Sequence, residues 1–270
     1  MKKYICLCLA LFWLLSVLGS VAAPSVNAKA ALLWDCDADC ALYAHNENQK
    51  LPMASTTKIM TAIVALEQGD LDSAVTIPKE AVGIEGSSCY LNPGETLTLR
   101  ALLYCLLLQS ANDAAHAIAV YIAGSVPAFA ALMNLKAAEL GLTNTHFDNP
   151  HGLDSQTHYT TALDLARLAD YCMQNTDFCE IWSTQTITLD AKEGDYPRTL
   201  CNHNRLLRLY APCIGGKTGY TMRCGRCLVS ASSKDGHTLV AVTLNCPSDW
   251  ADHQRMYQYG FSKLQSEHKE

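Results

Sequence analysis

The segment Leu99–Leu108 constrains the fold most, because nine of its ten residues are hydrophobic. A helix needs about 20 such residues to cross a bilayer, so this run is too short to span one and must lie inside a protein core. Thr98 precedes the run as a favourable helix N-cap, and Gln109-Ser110 ends it. We therefore expect a buried helix near the centre of the domain, with the other elements packed around it.

Helical spacing of apolar residues predicts five more helices. The first begins at Ser55 and ends at Gly69, the second runs from Asn112 to Gly124, the third covers 127–140, the fourth follows a cap at Thr160-Thr161, and the fifth covers 250–261. These helices occupy the middle of the chain and its end.

Strand patterns appear on either side of the helical middle. Residues 30–44 are typical of a hairpin around a polar turn, and 228–231 and 239–244 predict a second hairpin that turns at Gly236. Further strands are expected at 186–189 and 214–220, while 72–95 is expected to hold loops and short strands. This order indicates an α+β fold, and without a linker or repeat we expect one domain at 29–265 and a polar tail at 266–270.

Composition and charge narrow the class of protein. Hydrophobic residues make up 49% of the 270 residues and charged residues 17%, which favours a compact globular protein over a disordered one. The formal net charge is −6. Neither a nucleic-acid partner nor a basic patch for anionic lipid is therefore expected.

The first residues have the layout of a secretory signal peptide. Lys2-Lys3 precede an apolar run at 4–18, and the small residues Ser20-Val-Ala-Ala23 follow it. We predict a signal peptide at 1–28, cleaved after Ala23 or Ala28. The alternative is an uncleaved anchor, which would give the protein its only membrane contact. Either arrangement predicts an exported protein that acts outside the cytoplasm, at the cell wall.

Thirteen cysteines are present, of which Cys6 and Cys8 lie in the signal segment and 11 remain. An odd number cannot pair completely within one chain, so at most a few disulfides are expected. Cys224 and Cys227 have the spacing of half a zinc site, but no second half accompanies them, and no metal is expected. Two further cysteines flank a turn and are candidates to face each other, and three others fall in apolar patterns typical of a core: Cys36 and Cys40, then Cys105, Cys172 and Cys246.

Ser55 and Lys58 are the first candidate catalytic pair. Residues three apart on a helix share a face, so the hydroxyl and the amine would point the same way. A serine at a helix start also has free backbone N–H groups beside it. The Ser-x-x-Lys spacing is common by chance, however, and a capping serine followed by a surface lysine is the alternative.

Two more short motifs lie at element boundaries. Ser110-Ala-Asn112 is at the break between two apolar helices, where a loop can hold a hydroxyl and an amide in a cleft. Lys217-Thr-Gly219 opens a strand, where Gly219 allows another segment to approach closely. Each motif is weak evidence by itself. Together with Ser-x-x-Lys, in this order, they are a strong signal.

With these motifs the sequence resembles the low-molecular-mass penicillin-binding proteins, which are serine-type D-Ala-D-Ala carboxypeptidases. The resemblance covers essentially the whole mature chain. It rests on Leu51-Pro-Met-Ala-Ser-Thr-Thr-Lys-Ile-Met-Thr61, Leu106-Leu-Leu-Gln-Ser-Ala-Asn-Asp-Ala-Ala115, Asn149-Pro-His-Gly-Leu-Asp154, Gly215-Gly-Lys-Thr-Gly-Tyr-Thr221 and Tyr259-Gly-Phe261. It implies a β-lactamase/transpeptidase-like fold, in which an antiparallel sheet is flanked by helices with a helical subdomain.

The resemblance also implies an acyl-enzyme reaction that removes the terminal D-alanine from peptidoglycan stem peptides, with β-lactam antibiotics as covalent inhibitors and no cofactor. Ser55 would be the nucleophile, and Lys58 would accept its proton if the amine is neutral. A nearby cation such as Lys217 would help to keep it neutral. The backbone N–H groups of Ser55 and Tyr220 would form the oxyanion hole.

The remaining roles follow from the same resemblance. Ser110 would relay a proton to the leaving amine, and Asn112 would position the amide of the acyl chain. Lys217 and Thr218, next to Gly219, would bind the terminal carboxylate. His151 and Asp154 would support the site from their loop, the alternative being a purely structural loop, and His116 is expected to be a packed helix residue.

Two features depart from the family pattern. Larger relatives carry a second β-rich domain and an amphipathic anchor, whereas this sequence ends at Glu270 soon after its closing helix. Relatives also often place an arginine after the last strand to meet the substrate carboxylate. Here 247–254 contains none, and the first is Arg255. We therefore expect carboxylate binding to depend more on Lys217 and Thr218.

Three other functions remain as alternatives. A D,D-endopeptidase that cuts cross-links would use the same chemistry. A class A β-lactamase would need a glutamate to activate the deacylating water, and no Glu-x-x-x-Asn occurs between Asn112 and Lys217. A non-catalytic wall-binding protein would have no need of the complete set of nucleophile, lysines and hydroxyls.

Overall fold

A five-stranded antiparallel sheet is the frame of the fold, with strand order β2-β1-β9-β8-β7. The structure, a computed structural model, describes residues 22–190 and 194–267. The sheet strands are β1 Ala30–Asp35, β2 Cys40–His45, β7 Cys213–Thr221, β8 Gly225–Lys234 and β9 His237–Leu244. Two small ladders pair β3 Ala74–Thr76 with β4 Thr96–Thr98 and β5 Thr186–Leu189 with β6 Arg198–Cys201.

Eight α-helices are found in the described residues. They are α1 Lys58–Gln68, α2 Leu99–Leu108, α3 Asn112–Ala123, α4 Val126–Glu139, α5 Ala162–Cys172, α6 Thr176–Ser183, α7 Leu206–Leu209 and α8 Asp249–Glu267. The predicted central helix is confirmed, because all of α2 except Arg100 is buried. The Thr98 side chain caps it by accepting a hydrogen bond of 3.1 Å from the Ala101 N–H.

The sheet separates two apolar cores, as the period-2 alternation of strand side chains requires. In β1, Leu32 and Trp34 face the main core that contains α1 to α6, while Leu33 faces a smaller core against α8. The β8–β9 turn consists of Asp235 and Gly236, both with positive φ, which suits a two-residue hairpin turn. The predicted α+β architecture with terminal hairpins is therefore confirmed.

The largest differences from the sequence prediction are at element ends. The helix expected from Ser55 begins at Lys58 and is preceded by a 3₁₀ turn, Ala54–Thr57. Ala54 has φ +46°, which is outside the helical region and delays the start of the α-helix. The closing helix reaches Glu267, past its predicted end at 261, and α6, β6 and α7 were not predicted at all. Most of the predicted signal segment, residues 1–21, lies outside the described residues.

All 11 cysteines among the described residues are free thiols. Cys36 and Cys40, which we expected to face each other, are not bonded, and Cys36 lies against the Asp170 carboxylate instead. Cys105, Cys172 and Cys246 are fully buried, as predicted. Within the same residues no single helix has the length and apolar composition to cross a membrane. The α3–α4 pair, bent by 84°, meets that test jointly, by length and composition alone.

A buried ion pair fixes the loop between β3 and β4. Arg198 Nη2 lies 2.6 and 2.9 Å from the two Glu95 carboxylate oxygens, and its Nε donates to the Cys89 carbonyl at 3.1 Å. Both side chains are almost completely buried. Removing one partner of such a pair leaves the other charge unpaired in the protein interior.

We predict that Glu95→Gln lowers the free energy of unfolding by about 3–5 kcal/mol, measured by urea denaturation. Glu139→Gln is the control, because the Glu139 side chain is 63% exposed and loss of its pairing with Lys136 should cost less than about 1 kcal/mol. Equal destabilisation by the two substitutions would show that the buried Glu95–Arg198 pair does not stabilise the fold more than an exposed pair does.

Candidate active site

A cavity of about 570 Å³ lies where four segments meet: the 3₁₀ turn Ala54–Thr57, the break between α2 and α3, the loop at 147–155 and the outer strand β7. Ser55, Ser110 and Asn112 line it, together with Thr218, Gly219 and Tyr220. The three motifs singled out in the sequence therefore meet at one cavity.

Hydrogen bonds hold the turn that carries Ser55. The Thr56 hydroxyl donates to the Met53 carbonyl, and the Thr57 hydroxyl donates to the Ala54 carbonyl, each at 2.7 Å. His158 supports this arrangement from the neighbouring loop. Its Nδ1 accepts from the Asp148 N–H, so the proton is on Nε2, which donates to Thr57 Oγ1 at 2.7 Å. Burial lowers the pKa of His158 to about 4, so the ring is neutral near pH 7.

Lys58 is completely buried, and its amine lies at the centre of the site. Nζ is 2.7 Å from Asn112 Oδ1, 2.7 Å from the His151 carbonyl oxygen and 3.0 Å from Ser55 Oγ. The two carbonyl oxygens can only accept hydrogen bonds. A neutral amine can donate its two hydrogens to these two oxygens. Its lone pair is then left to accept a hydrogen bond from the Ser55 hydroxyl. This geometry suits a base that takes the serine proton.

The electrostatic surroundings favour the neutral amine. Burial is the main cause that lowers the pKa of Lys58 well below its usual value, and the charge of Lys217 lowers it further, against an opposing contribution from Asp113. Lys217 is also buried, and burial lowers its pKa to about 7. Its Nζ donates to Ser110 Oγ at 2.8 Å and to the Thr218 carbonyl at 2.9 Å. The two lysines thus flank the cavity, one bonded to each serine.

The break between α2 and α3 places Ser110 and Asn112. Ser110 has φ +60°, a conformation that ends α2 and turns its side chain toward Lys217. Asn112 is fixed at both ends of its amide, because Oδ1 faces Lys58 and Nδ2 donates to the Glu85 carbonyl. Asp113, next in sequence, is buried and accepts hydrogen bonds from the Ser88 hydroxyl and from the N–H groups of Cys89 and Leu91. It thereby holds the loop that covers α3.

Two glycines allow other segments to approach Ser55. A Cβ on Gly219 would lie 3.1 Å from the Ser55 nitrogen, so β7 passes close beside the nucleophile, as predicted from the motif. Since β7 is an outer strand of the sheet, one side of its backbone is free of strand partners and borders the cavity. Ser55 and Tyr220 both line the cavity, and their N–H groups as an oxyanion hole remain a prediction. Gly152 has φ +89°, and a Cβ there would meet the Ala54 carbonyl at 1.9 Å.

His151, Asp154 and His116, which the sequence analysis considered, lie at different distances from the chemistry of the site. His151 lines the cavity, but its backbone carbonyl, not its ring, contacts Lys58. Burial lowers the pKa of its ring to about 3, and Nδ1 accepts from the Leu153 N–H. Asp154 is exposed and is not among the described residues that line the cavity. His116 lies half-buried on α3, as expected of a packed helix residue.

Sequence reasoning missed several residues of the site. Asp113 and His158 hold the loops, while His203 and Arg226 line the cavity itself. Asp113 was within a quoted motif, and its place beside Asn112 was the available signal. His158 and Arg226 had no local signal, because their partners are far away in sequence.

The sequence has no arginine at 247–254, directly after the last strand. Arg226, in β8, lines the cavity and supplies a guanidinium there instead. Arg226 Nε and Nη2 donate to the buried Asp249 carboxylate at 3.0 and 2.9 Å, and the guanidinium lies over the Trp250 ring. Arg255 is used elsewhere, in contacts with Asp252 and the Ser25 carbonyl. Within residues 22–190 and 194–267, no group of three or more histidine, cysteine or acidic side chains is placed to hold a metal ion.

We predict that Gly152→Ala slows covalent labelling of Ser55 by a β-lactam about 100-fold or more, because the new methyl group displaces the turn that carries the nucleophile. Gly83→Ala is the matched control. Gly83 also has a positive φ, +79°, but a Cβ there meets nothing within 4 Å. Similar labelling rates in the two variants would show that the contact with Ala54 is unimportant.

Comparisons with known proteins identify the family. A family model described as D-alanyl-D-alanine carboxypeptidase matches residues 18–248. The chain is 34% identical to the D-alanyl-D-alanine carboxypeptidase DacF of Bacillus subtilis, over 89% of this chain and 64% of that protein. It is 33% identical to DacB2 of Mycobacterium tuberculosis, over 90% of this chain and 86% of that protein. The chain thus spans less than two thirds of DacF but most of DacB2.

Solved structures give the same result for the fold. A D-alanyl-D-alanine carboxypeptidase from Mycobacterium tuberculosis aligns with a TM-score of 0.85 at 33% identity, covering 91% of this chain and 95% of that one. A DD-transpeptidase from Streptomyces also aligns with a TM-score of 0.85 at 33% identity, covering 89% of this chain and 100% of that one. The predicted β-lactamase/transpeptidase-like fold is confirmed, and the chain belongs to the D-alanyl-D-alanine carboxypeptidase family of serine peptidases.

Proposed function

We propose that this protein removes the terminal D-alanine from peptidoglycan stem pentapeptides through an acyl-enzyme on Ser55. The observation that carries the proposal is the Lys58 amine, which is buried, bonded to two carbonyl oxygens and 3.0 Å from Ser55 Oγ. A serine hydroxyl is a weak nucleophile, and this neutral amine supplies the base that it needs.

In the first step Ser55 transfers its proton to Lys58 as Oγ attacks the carbonyl carbon between the two D-alanines. The negative charge that develops on the carbonyl oxygen is stabilised by the N–H groups of Ser55 and Tyr220. The C–N bond then breaks, and the departing amine takes up a proton. Ser110, 2.8 Å from Lys217 Nζ, is the hydroxyl that we place on the proton path from the Lys58 ammonium to that amine.

Water completes the cycle. It attacks the ester carbonyl, Lys58 again accepts a proton, and the shortened peptide leaves with Ser55 restored. Asn112 is placed to orient the acyl chain, since it lines the cavity in a fixed position. His151 contributes through its carbonyl, which orients Lys58, and we assign Asp154 no part in the chemistry.

Selection of a free C-terminus is assigned to cations and hydroxyls at the β7 end of the cavity. We assign the terminal carboxylate to Lys217 and Thr218, because Thr218 lines the cavity and the Lys217 amine is bonded to Ser110 in its wall. Arg226 also lines the cavity and adds a second cation. A guanidinium binds a carboxylate well, although its pairing with Asp249 reduces the net charge offered to the substrate.

A β-lactam is expected to acylate Ser55 and to be released slowly. No glutamate lines the cavity in the described part of the chain, so the group that a class A β-lactamase uses to activate its deacylating water has no counterpart there. Covalent inhibition is therefore favoured over rapid β-lactam hydrolysis.

The acyl-enzyme is also compatible with two related reactions. An endopeptidase would form it from a cross-linked peptide, and a transpeptidase would pass the acyl group to an amine. Transpeptidation is considered because the fold is similar to that of a protein named as a DD-transpeptidase. Product analysis on cross-linked and uncross-linked muropeptides, with and without an added amine acceptor, separates the three reactions.

We also propose that the protein is exported and that its signal peptide is cleaved after Ala23. Contacts beyond that point support this site over Ala28. The Asn27 N–H donates to Asp252 at 2.8 Å, the Ser25 carbonyl accepts from Arg255, and Ala28 is buried against the smaller core. Cleavage after Ala28 would remove these contacts.

We predict that Ser55→Ala and Lys58→Met each reduce D-alanine release from a pentapeptide by at least about 1,000-fold, because nucleophile and base act as one unit. Labelled penicillin should form an adduct on Ser55 in the wild-type chain and none in Ser55→Ala. Cys246→Ser, changed in a core away from the cavity, is the control for general damage. Full D-alanine release by Ser55→Ala would refute the mechanism.

A second prediction concerns pH. Because burial lowers the pKa of Lys217 to about 7, this amine loses its charge as the pH rises through 7, and the free enzyme loses affinity for a carboxylate. KM for the pentapeptide should rise about tenfold per pH unit between about pH 7 and 9. Lys217→Arg should give a nearly constant KM over this range, because a guanidinium stays charged. A constant KM in the wild-type enzyme would contradict the proposal that the charge of Lys217 binds the substrate carboxylate.

A further inference from the structure

Two thiols are in contact at the turn between β7 and β8, beside the active site. Cys224 Sγ and Cys227 Sγ are 3.2 Å apart, and both residues are buried, with 1% and 0% of their surface exposed. Cys224 lies in the turn, while Cys227 lies in β8 opposite Gly219, the residue that passes close to Ser55. The mechanism proposed above uses neither thiol.

Several contacts fix the position of this pair. Cys224 Sγ is 3.0 Å from the Pro52 carbonyl oxygen. The backbone N–H of Cys224 donates to the Thr221 hydroxyl at 3.0 Å. Gly225 has φ +67°, and Asn245 packs directly against it. The two sulfur atoms are therefore held together by the folded backbone. A disulfide bond is about 2.0 Å long, so a displacement of about 1 Å suffices to form one.

A metal site is the other common use of Cys-x-x-C spacing, and the surroundings do not favour it. A tetrahedral site needs four ligands, and within the described residues no further histidine, cysteine or acid completes a group of three at this turn. The third close atom is the Pro52 carbonyl oxygen, which is a poor ligand for zinc beside two thiols.

We propose that Cys224 and Cys227 form a disulfide bond that ties the β7–β8 turn. Each cysteine gives up one proton and one electron, and a disulfide reagent such as oxidised glutathione, or an exchange protein of the same chemical class, takes up both protons and both electrons and is reduced to two thiols. The reaction passes through a mixed disulfide on one cysteine, which the other then displaces.

The timing follows from burial. In the folded protein the pKa of the Cys224 thiol is raised by its contact with Cys227 and by burial, so little thiolate is present to react. The bond therefore forms while the chain folds and both thiols are still accessible. Once formed, it is buried and resists reduction.

The bond stabilises the strand that borders the cavity. It closes a short loop in the unfolded chain and removes part of its conformational freedom. The effect should be concentrated at the β7–β8 turn, whose strands carry Gly219 and Arg226 to the cavity. This inference is independent of the reaction proposed above, because it concerns the covalent state of the turn.

The experiment uses the position of Arg226 between the two cysteines. The full chain is unfolded and refolded in oxidised or reduced glutathione, free thiols are alkylated, and the protein is digested with trypsin without reduction. Cleavage after Arg223, Arg226 and Lys234 releases peptides 224–226 and 227–234. The expected product of oxidative refolding is these two peptides joined, whereas reductive refolding should give both alkylated separately.

Cys224→Ser and Cys227→Ser each keep one thiol of the pair and should not join peptide 224–226 to peptide 227–234. The oxidised wild-type chain should melt roughly 2–6 °C above the reduced chain, and this difference should disappear in both variants. It should persist in Cys246→Ser, which changes a buried thiol elsewhere. Two outcomes would overturn the proposal: separate alkylation of both peptides after oxidative refolding, or linkage of either one to a different cysteine.

Discussion

The active site depends on one buried amine. Lys58 is surrounded by oxygen atoms from three segments: the Ser55 turn, the start of α3 and the loop that contains His151. A buried ammonium ion would be strongly disfavoured, whereas a neutral amine satisfies two carbonyl acceptors and offers its lone pair to a hydroxyl. The same contacts that stabilise the neutral lysine therefore align it with Ser55, and the surrounding structure serves to keep these three segments in position.

Much of that surrounding structure consists of buried polar groups with fixed partners. Asp113 holds the loop over α3 through three N–H and O–H donors, and the His158 ring fixes the Ser55 turn through Thr57. Lys217 is the second buried amine, and its charge disfavours protonation of Lys58. Burying two lysines near each other costs folding stability. The proposed reaction explains why both are present, since it needs a neutral amine beside Ser55 and a cation near the carboxylate.

Local patterns predicted the regular elements well. The buried α2, its Thr98 cap, the end of α3 at Gly124 and the β8–β9 hairpin all depend on residues close together in sequence, whose propensities agree with the final fold. The start of α1 was wrong by three residues, because the positive φ of Ala54 comes from tertiary contacts around the turn and not from alanine itself. Helix α6 was missed even though Asn175 caps it, since it is only eight residues long and offers little more than two turns of periodicity.

The sequence by itself determined the α+β class and the chemical groups of the site: a serine and lysine three apart, a serine and asparagine between two buried helices, and a lysine at the start of a strand. These follow from spacing and from the identity of the side chains. Only the tertiary structure decided that the His151 carbonyl and not its ring contacts Lys58, that Asp154 is exposed and that Arg226 reaches the cavity. It also decided that Cys224 contacts Cys227, whereas Cys36 lies against Asp170. The physical reason is that hydrogen bonds, burial and charge–charge distances are properties of the folded neighbourhood, and residues far apart in sequence create that neighbourhood.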